Sequence, residues 1–178
     1  MPLHVAFLRG VGGAKPAPGA ALRACFEAAG YDRVTPVIAS GNVVFGMGRK
    51  RKAPDPAAIS AMLEAHFGYA LPAILRTGAA VERMLADDPF AGVDTAKLTR
   101  FVAMVGDGAP PVSVLDGPAK GEGWEIVDRE GRDVFFVTDR VMVKTPDVMR
   151  VIERAFRKDV TTRNWNTMEK VAAVLAAG

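Results

Sequence analysis

Apolar and polar positions follow two rhythms along the first half of the chain, and each change of rhythm marks an element. Leu3 to Leu8 is a short, nearly continuous apolar run and reads as a strand. Leu22, Cys25, Phe26 and Ala29 then recur at i, i+3, i+4 and i+7 before Gly30, which predicts an amphipathic helix with a glycine stop. Val34 to Ile38 and Val43 to Phe45 are β-branched runs. Ala39-Ser40-Gly41-Asn42 between them predicts a tight hairpin in which Gly41 and Asn42 supply the positive φ angles. Asp55 as N-cap, Pro56 at the first helical position, the inward set Ile59, Met62, Leu63 and Phe67, and the stop at Gly68 define a second helix. Ala73 to Leu75 closes the series as a strand.

The order βαββαβ predicts an α+β fold with a ferredoxin-like plait over residues 1–78, its helices on one face of an antiparallel sheet. In that topology the first two strands run parallel. The loop from Arg9 to Gly19 and the hairpin at Ser40 to Asn42 are then expected at one end of the sheet, and whatever follows the third strand at the other. Residues 79–178 read as a second, less regular α/β module. It has a short helix at Val81 to Leu85 and strands at Thr99 to Val105, Trp124 to Val127, Val134 to Val137 and Val141 to Val143, with a turn at Glu130-Gly131-Arg132-Asp133. Gly106 to Gly123 is a Pro/Gly-rich loop in which Pro111 to Leu115 has the makings of a helical turn. Asp147 is placed to cap a helix with Val148, Val151, Ile152, Ala155 and Phe156 inward, and a last helix carries Met168, Val171, Ala172 and Leu175. Val5, Ala6 and Phe7, like Val43, Val44 and Phe45, are apolar toward both sheet faces, so the two modules are expected to pack together.

Composition narrows the class without naming an activity. Of 178 residues, 49% are apolar and 24% charged, and the 18 glycines and 12 prolines follow no period, so an ordinary globular chain is expected. Cys25, the single cysteine, lies on a helical apolar stripe, which reads as a buried inert thiol and allows no disulfide within one chain. No stretch approaches the ~20 apolar residues of a membrane span, and Arg9 interrupts the N-terminal apolar run, so a cytoplasmic location is expected. The net charge of +3 is slight. Its densest source, Arg49-Lys50-Arg51-Lys52, has the charge to touch phosphates, but a short charge run beside prolines is more often a solvated loop. The two histidines, His4 and His66, stand apart from Cys25, so no zinc spacing exists, and no nucleophile elbow is present.

Three segments carry polar chemistry. Leu8-Arg9-Gly10-Val11-Gly12-Gly13-Ala14-Lys15 combines glycines with two cations at a strand-to-helix junction, a composition able to turn backbone N–H groups toward an anion. Its spacing matches neither the phosphate loop nor the dinucleotide fingerprint, and Pro16 and Pro18 remove two donors. Ser40-Gly41-Asn42 is accounted for by turn chemistry, but the plait puts it beside Arg9. In Thr161-Thr162-Arg163-Asn164-Trp165-Asn166-Thr167, the two threonines suit a short strand. Asn166 suits a helix cap with Glu169 completing a capping box, and Trp165 suits a core site. Arg163 and Asn164 are costly to bury unless paired, and either bind a ligand or brace the junction between modules.

Leu8-Arg9-Gly10 with its following glycines, Ser40-Gly41-Asn42-Val43-Val44-Phe45, and Thr162-Arg163-Asn164-Trp165-Asn166-Thr167 together resemble the bacterial family known as domain of unknown function 1697. The resemblance spans essentially the whole chain and implies two linked ferredoxin-like modules with no assigned reaction. Where the family typically reads Leu-Arg-Gly-Ile-Asn-Val-Gly-Gly, this chain is two residues shorter and lacks the asparagine. Where the family has Tyr-Ile-Gln before Ser-Gly-Asn, this chain has Val37-Ile38-Ala39. The leading functional expectation is a site for a small anionic ligand, phosphate- or nucleotide-like, formed by Arg9, Gly10, Lys15, Ser40, Asn42, Arg163, Asn164 and Trp165, with no cofactor and no metal. The alternatives are a noncatalytic interaction protein and a weak binder of nucleic-acid backbone through the basic run. The sheet offers no aromatic platform for base stacking, and oligomeric state is left open.

Overall fold

The structure is a computed structural model describing residues 2–48, 53–115, 120–141 and 147–178. The basic run Arg49 to Lys52 lies outside the described residues, and so does most of the strand expected at Val141 to Val143. The chain divides into two compact units, Met1–Ala86 with Glu169–Gly178, and Asp87–Met168. Sequence placed the division after residue 78. The helix that begins there groups with the first unit, and so does the C-terminal part of the last helix.

The first unit contains β1 (Leu3–Leu8), α1 (Gly19–Ala28), β2 (Asp32–Val37), β3 (Asn42–Gly46), α2 (Pro56–Phe67), β4 (Ala73–Thr77) and α3 (Gly78–Asp87). Its four strands form one sheet in the order β2-β3-β1-β4, with every neighbouring pair antiparallel. Each helix forms where its periodicity and caps require. Asp55 accepts the Ala57 amide at 3.1 Å at the start of α2, and Gly68 ends it in the left-handed region at φ 79°.

The core lies between one sheet face, carrying Ala6, Leu8, Val43, Phe45 and Ala73, and the inner sides of α1 and α2, carrying Leu22, Cys25, Phe26, Ile59 and Leu63. Phe26 and Tyr31 pack on Phe45 with ring centroids 5.1 and 4.9 Å away. Val5 and Phe7, on the other face of β1, are buried as well. Within this core Cys25 is 4% exposed, and burial pushes its thiol above its ordinary pKa. The unfolded chain therefore deprotonates first. The stability this thiol contributes is complete below the ordinary thiol pKa and is lost as pH rises toward the folded value. Iodoacetamide is expected to label Cys25 slowly in the native protein and fully in denaturant; equal rates would show that the α1 face is open.

The second unit holds β5 (Leu98–Val105), a 3-10 turn at Val112–Leu115, β6 (Lys120–Gly121), β7 (Trp124–Glu130), β8 (Asp133–Asp139), α4 (Asp147–Ala155) and β9 (Val160–Asn164), and β9 runs directly into α5 (Trp165–Ala177). Its sheet order is β6-β7-β8-β5-β9, again antiparallel throughout. Ala103, Val105, Phe136 and Val160 face Val148 and Ile152 of α4, and Phe156 just beyond it, in its core. Val151, expected inward, is 40% exposed, because the stripe that packs runs i, i+4, i+8 through Val148 and leaves Val151 to one side. No helix among the described residues is long and apolar enough to cross a membrane.

Candidate functional site

The two sheet ends differ in how tightly the loops are tied, and the end where β1 stops is the one that collects polar residues. The Leu8 amide donates to the Gly41 carbonyl and the Arg9 amide to the Pro72 carbonyl, both at 2.8 Å. Three connections, β1 to α1, β2 to β3 and α2 to β4, are thereby fastened together. The first is fixed further. Gly12 and Lys15 exchange both backbone hydrogen bonds, at 3.0 and 2.9 Å, which makes a small hairpin with Gly13 at φ 54°. The Lys15 ammonium donates to the Ala70 carbonyl at 3.3 Å, and the Tyr69 hydroxyl donates to the Pro16 carbonyl. Sequence reasoning missed the contribution of Tyr69 to Pro72. The signal was available in the predicted topology, because β4 must start beside the end of β1.

The hairpin differs from its expected form. Positive φ falls on Ile38 at 51° and Gly41 at 74°, while Asn42 is the first residue of β3, paired with Val37 and 0% exposed. Its side-chain amide donates to the Val37 carbonyl and to the Ser40 hydroxyl oxygen, each at 3.0 Å. Asn42 therefore clamps the hairpin from inside instead of shaping it through its own backbone. Ser40 is exposed, and so is Gly10, while Arg9 is half-buried. Arg9, Gly10, Lys15, Ser40 and Asn42 thus sit on connections joined at one sheet end. The loop amides of Arg9, Gly12 and Lys15 and the Asn42 side-chain amide are already spent on the protein itself.

The remaining candidates belong to the second unit. Arg163 lies in β9, 8% exposed, with its guanidinium donating to the Thr161 hydroxyl at 2.8 Å and to the Thr162 carbonyl at 2.9 Å. Burial lowers its pKa to about 10, so it keeps its proton at neutral pH. Asn164, not Asn166, caps α5: its side-chain oxygen accepts the Asn166 amide at 2.9 Å. The helix starts two residues earlier than the capping-box spacing suggested. Trp165 is 4% exposed and stands edge-on to Phe90 and Phe135.

A cleft of about 360 Å³ occupies the opposite end of the first sheet, lined in part by Leu3, Arg33, Thr77, Gly78, Glu82 and Leu175. None of the residues singled out from sequence lines it. Among the described residues no group of three His, Cys, Asp or Glu side chains is placed to hold a metal ion. The candidate side chains at the loop end bring two cations, Arg9 and Lys15, and the Ser40 hydroxyl.

The chain belongs to the family described as protein of unknown function (DUF1697), which matches residues 1–142. The match includes the glycine-rich loop and the Ser40 hairpin and ends before the Arg163 segment. Among solved structures the chain is similar to the conserved bacterial protein SP0830 from Streptococcus pneumoniae, with a TM-score of 0.70 at 18% identity over 99% of both chains, a likeness of fold. No curated protein matches.

Proposed function

We propose that each unit is a ferredoxin-like plait and that the protein binds a small anion of phosphate or nucleotide type through the loop end of the first unit. The strand order β2-β3-β1-β4, and the same order in the second sheet once β6 is set aside, supports the plait. The observation that carries the binding reading is the fastening of three loops at one sheet end, where Arg9, Lys15, the exposed Ser40 hydroxyl and the exposed backbone at Gly10 are held on a rigid frame. Asn42 serves by orienting Ser40. Within the second unit Arg163 is proposed to serve separately as a buried positive charge, with Asn164 and Trp165 fixing the strand-to-helix junction that follows it.

Scanning fluorimetry of the wild-type protein with inorganic phosphate, adenosine monophosphate and adenosine, at matched ionic strength, tests this. A ligand at 100 times its dissociation constant adds about 2.7 kcal/mol, a rise of roughly 5–10 °C for a chain of this size. Phosphate and the nucleotide are expected to raise the midpoint and adenosine is not. Lys15→Ala and Arg163→Ala are each expected to diminish the rise. A wild-type midpoint indifferent to every probe removes the proposal, and an undiminished rise in Arg163→Ala assigns that residue to bracing alone.

A further inference from the structure

Four strands of each unit correspond in register, and the backbone bonds fix the correspondence. In the first unit the Leu8 amide donates to Gly41 and the Arg9 amide to Pro72; in the second the Val105 amide donates to Arg132 and the Gly106 amide to Asp159, both at 2.9 Å. Strand registers agree with this pairing: Val5 lies opposite Val44 and Arg76, and Val102 lies opposite Phe135 and Arg163. Both β2 and β7 carry a register shift along the partner strand, and β4 and β9 each pass directly into a helix. The caps correspond as well. Thr77 Oγ1 accepts the Ala80 amide at 3.1 Å, as Asn164 accepts that of Asn166.

In this alignment the positions with the same residue on β1, β3 and β4 and on their counterparts β5, β8 and β9 are Val5 and Val102, Ala6 and Ala103, Val43 and Val134, Phe45 and Phe136, and Arg76 and Arg163. Every member of the four apolar pairs is 0% exposed, and core packing accounts for it. The arginine pair is the exception, since a charged side chain in mid-strand is favoured neither by strand propensity nor by packing. The two arginines are held alike. Opposite Val5 and Val102, they project from the sheet face away from Ala6 and Ala103, the face without the helices of their own core. Arg76 Nη1 donates to the Leu75 carbonyl at 2.8 Å, as Arg163 Nη1 donates to the Thr162 carbonyl. In each, the carbonyl of the preceding residue holds one guanidinium nitrogen and narrows the orientations of a side chain whose planar fork matches a phosphate or carboxylate.

We infer that Arg76 is an anion-binding residue, doing in the first unit what Arg163 does in the second, for a ligand of phosphate type. The inference rests on the anionic-ligand reading above. Its test is titration calorimetry and scanning fluorimetry of the full chain with inorganic phosphate and adenosine monophosphate, comparing wild type, Arg76→Ala, Arg76→Gln and Arg76→Lys. Arg76→Ala and Arg76→Gln are expected to weaken binding at least tenfold and to shrink the ligand-dependent rise, while Arg76→Lys recovers part of it. Arg76→Gln keeps most of the stem and supplies the answer if the alanine variant does not fold. A lower midpoint without ligand combined with wild-type affinity in Arg76→Gln overturns the inference and leaves Arg76 a structural brace. A wild-type chain that binds neither probe overturns the anionic-ligand reading and this inference with it.

Discussion

Gly41→Ala is expected to lower stability by about 2–5 kcal/mol, the largest loss available from adding a single methyl to the loop end. Two independent costs combine. Gly41 sits at φ 74°, where a side chain costs about 1–2 kcal/mol. A Cβ built there stands 2.6 Å from Val11 Cγ2 and 3.0 Å from Leu8 Cβ, overpacking of a kind that costs about 1–3 kcal/mol. Gly10→Ala isolates the first cost, because Gly10 has φ 78° but nothing within 4 Å of the added carbon. Urea unfolding of both variants, read as midpoints at constant slope, is expected to rank Gly41→Ala well below Gly10→Ala. Adding Val11→Ala to Gly41→Ala should recover about half the difference by removing the nearer methyl. Equal losses at the two glycines would mean that the hairpin and the first loop do not pack as described, and the frame proposed to hold the anion would lose its basis.

The elements of the first unit were legible because each rests on local chemistry. The apolar run of β1, the helical spacing of Leu22, Cys25 and Phe26, and the Asp55-Pro56 start with its Gly68 stop all reappear in place. Strand adjacency followed from handedness and connection rules, which is why the loop after Leu8 and the Ser40 hairpin were expected together and are joined by the Leu8 to Gly41 bond. The second unit was harder to read. Among the described residues a 3-10 turn stands where the first unit has α1, and the Pro/Gly-rich stretch around it conceals the correspondence. The repeat becomes visible once hydrogen-bond registers are compared.

The positive φ expected at Asn42 and the cap expected at Asn166 both fall elsewhere, and for one reason. An asparagine side chain bonds backbone groups a few residues away in either direction, so its type announces a boundary without saying on which side it stands. Asn42 belongs inside β3, closing the hairpin through Val37 and Ser40, and Asn164 ends β9 while capping α5. Arg163 and Arg76 show the complementary limit. Sequence marked Arg163 as unusual within its segment, but nothing local links it to Arg76 in the short run Ala73 to Thr77. That link exists only in the register of two separate sheets.

Trp165→Ala is expected to cost about 3–5 kcal/mol, the range for truncating a buried aromatic, and to lower the thermal midpoint by roughly 6–20 °C. The ring centroid is 5.0 Å from Phe90 and 6.1 Å from Phe135, with interplanar angles of 75° and 78°, and Phe90 stands edge-on to Phe135 at 6.2 Å. Each such pair adds about 0.5–1.5 kcal/mol beyond its buried area, which puts the loss toward the upper part of the range. Trp165→Phe keeps an aromatic surface in the cluster and should forfeit less than half as much. The same two variants separate the readings of the terminal segment. If Trp165 only anchors the start of α5, Trp165→Phe binds phosphate as the wild type does and Trp165→Ala loses stability first. If its ring contacts the ligand, Trp165→Phe weakens binding while its unfolding midpoint stays close to wild type. Because two units need not unfold in one step, midpoints from far-ultraviolet circular dichroism and from the fluorescence of Trp124 in each variant should be compared before either loss is assigned to the second unit.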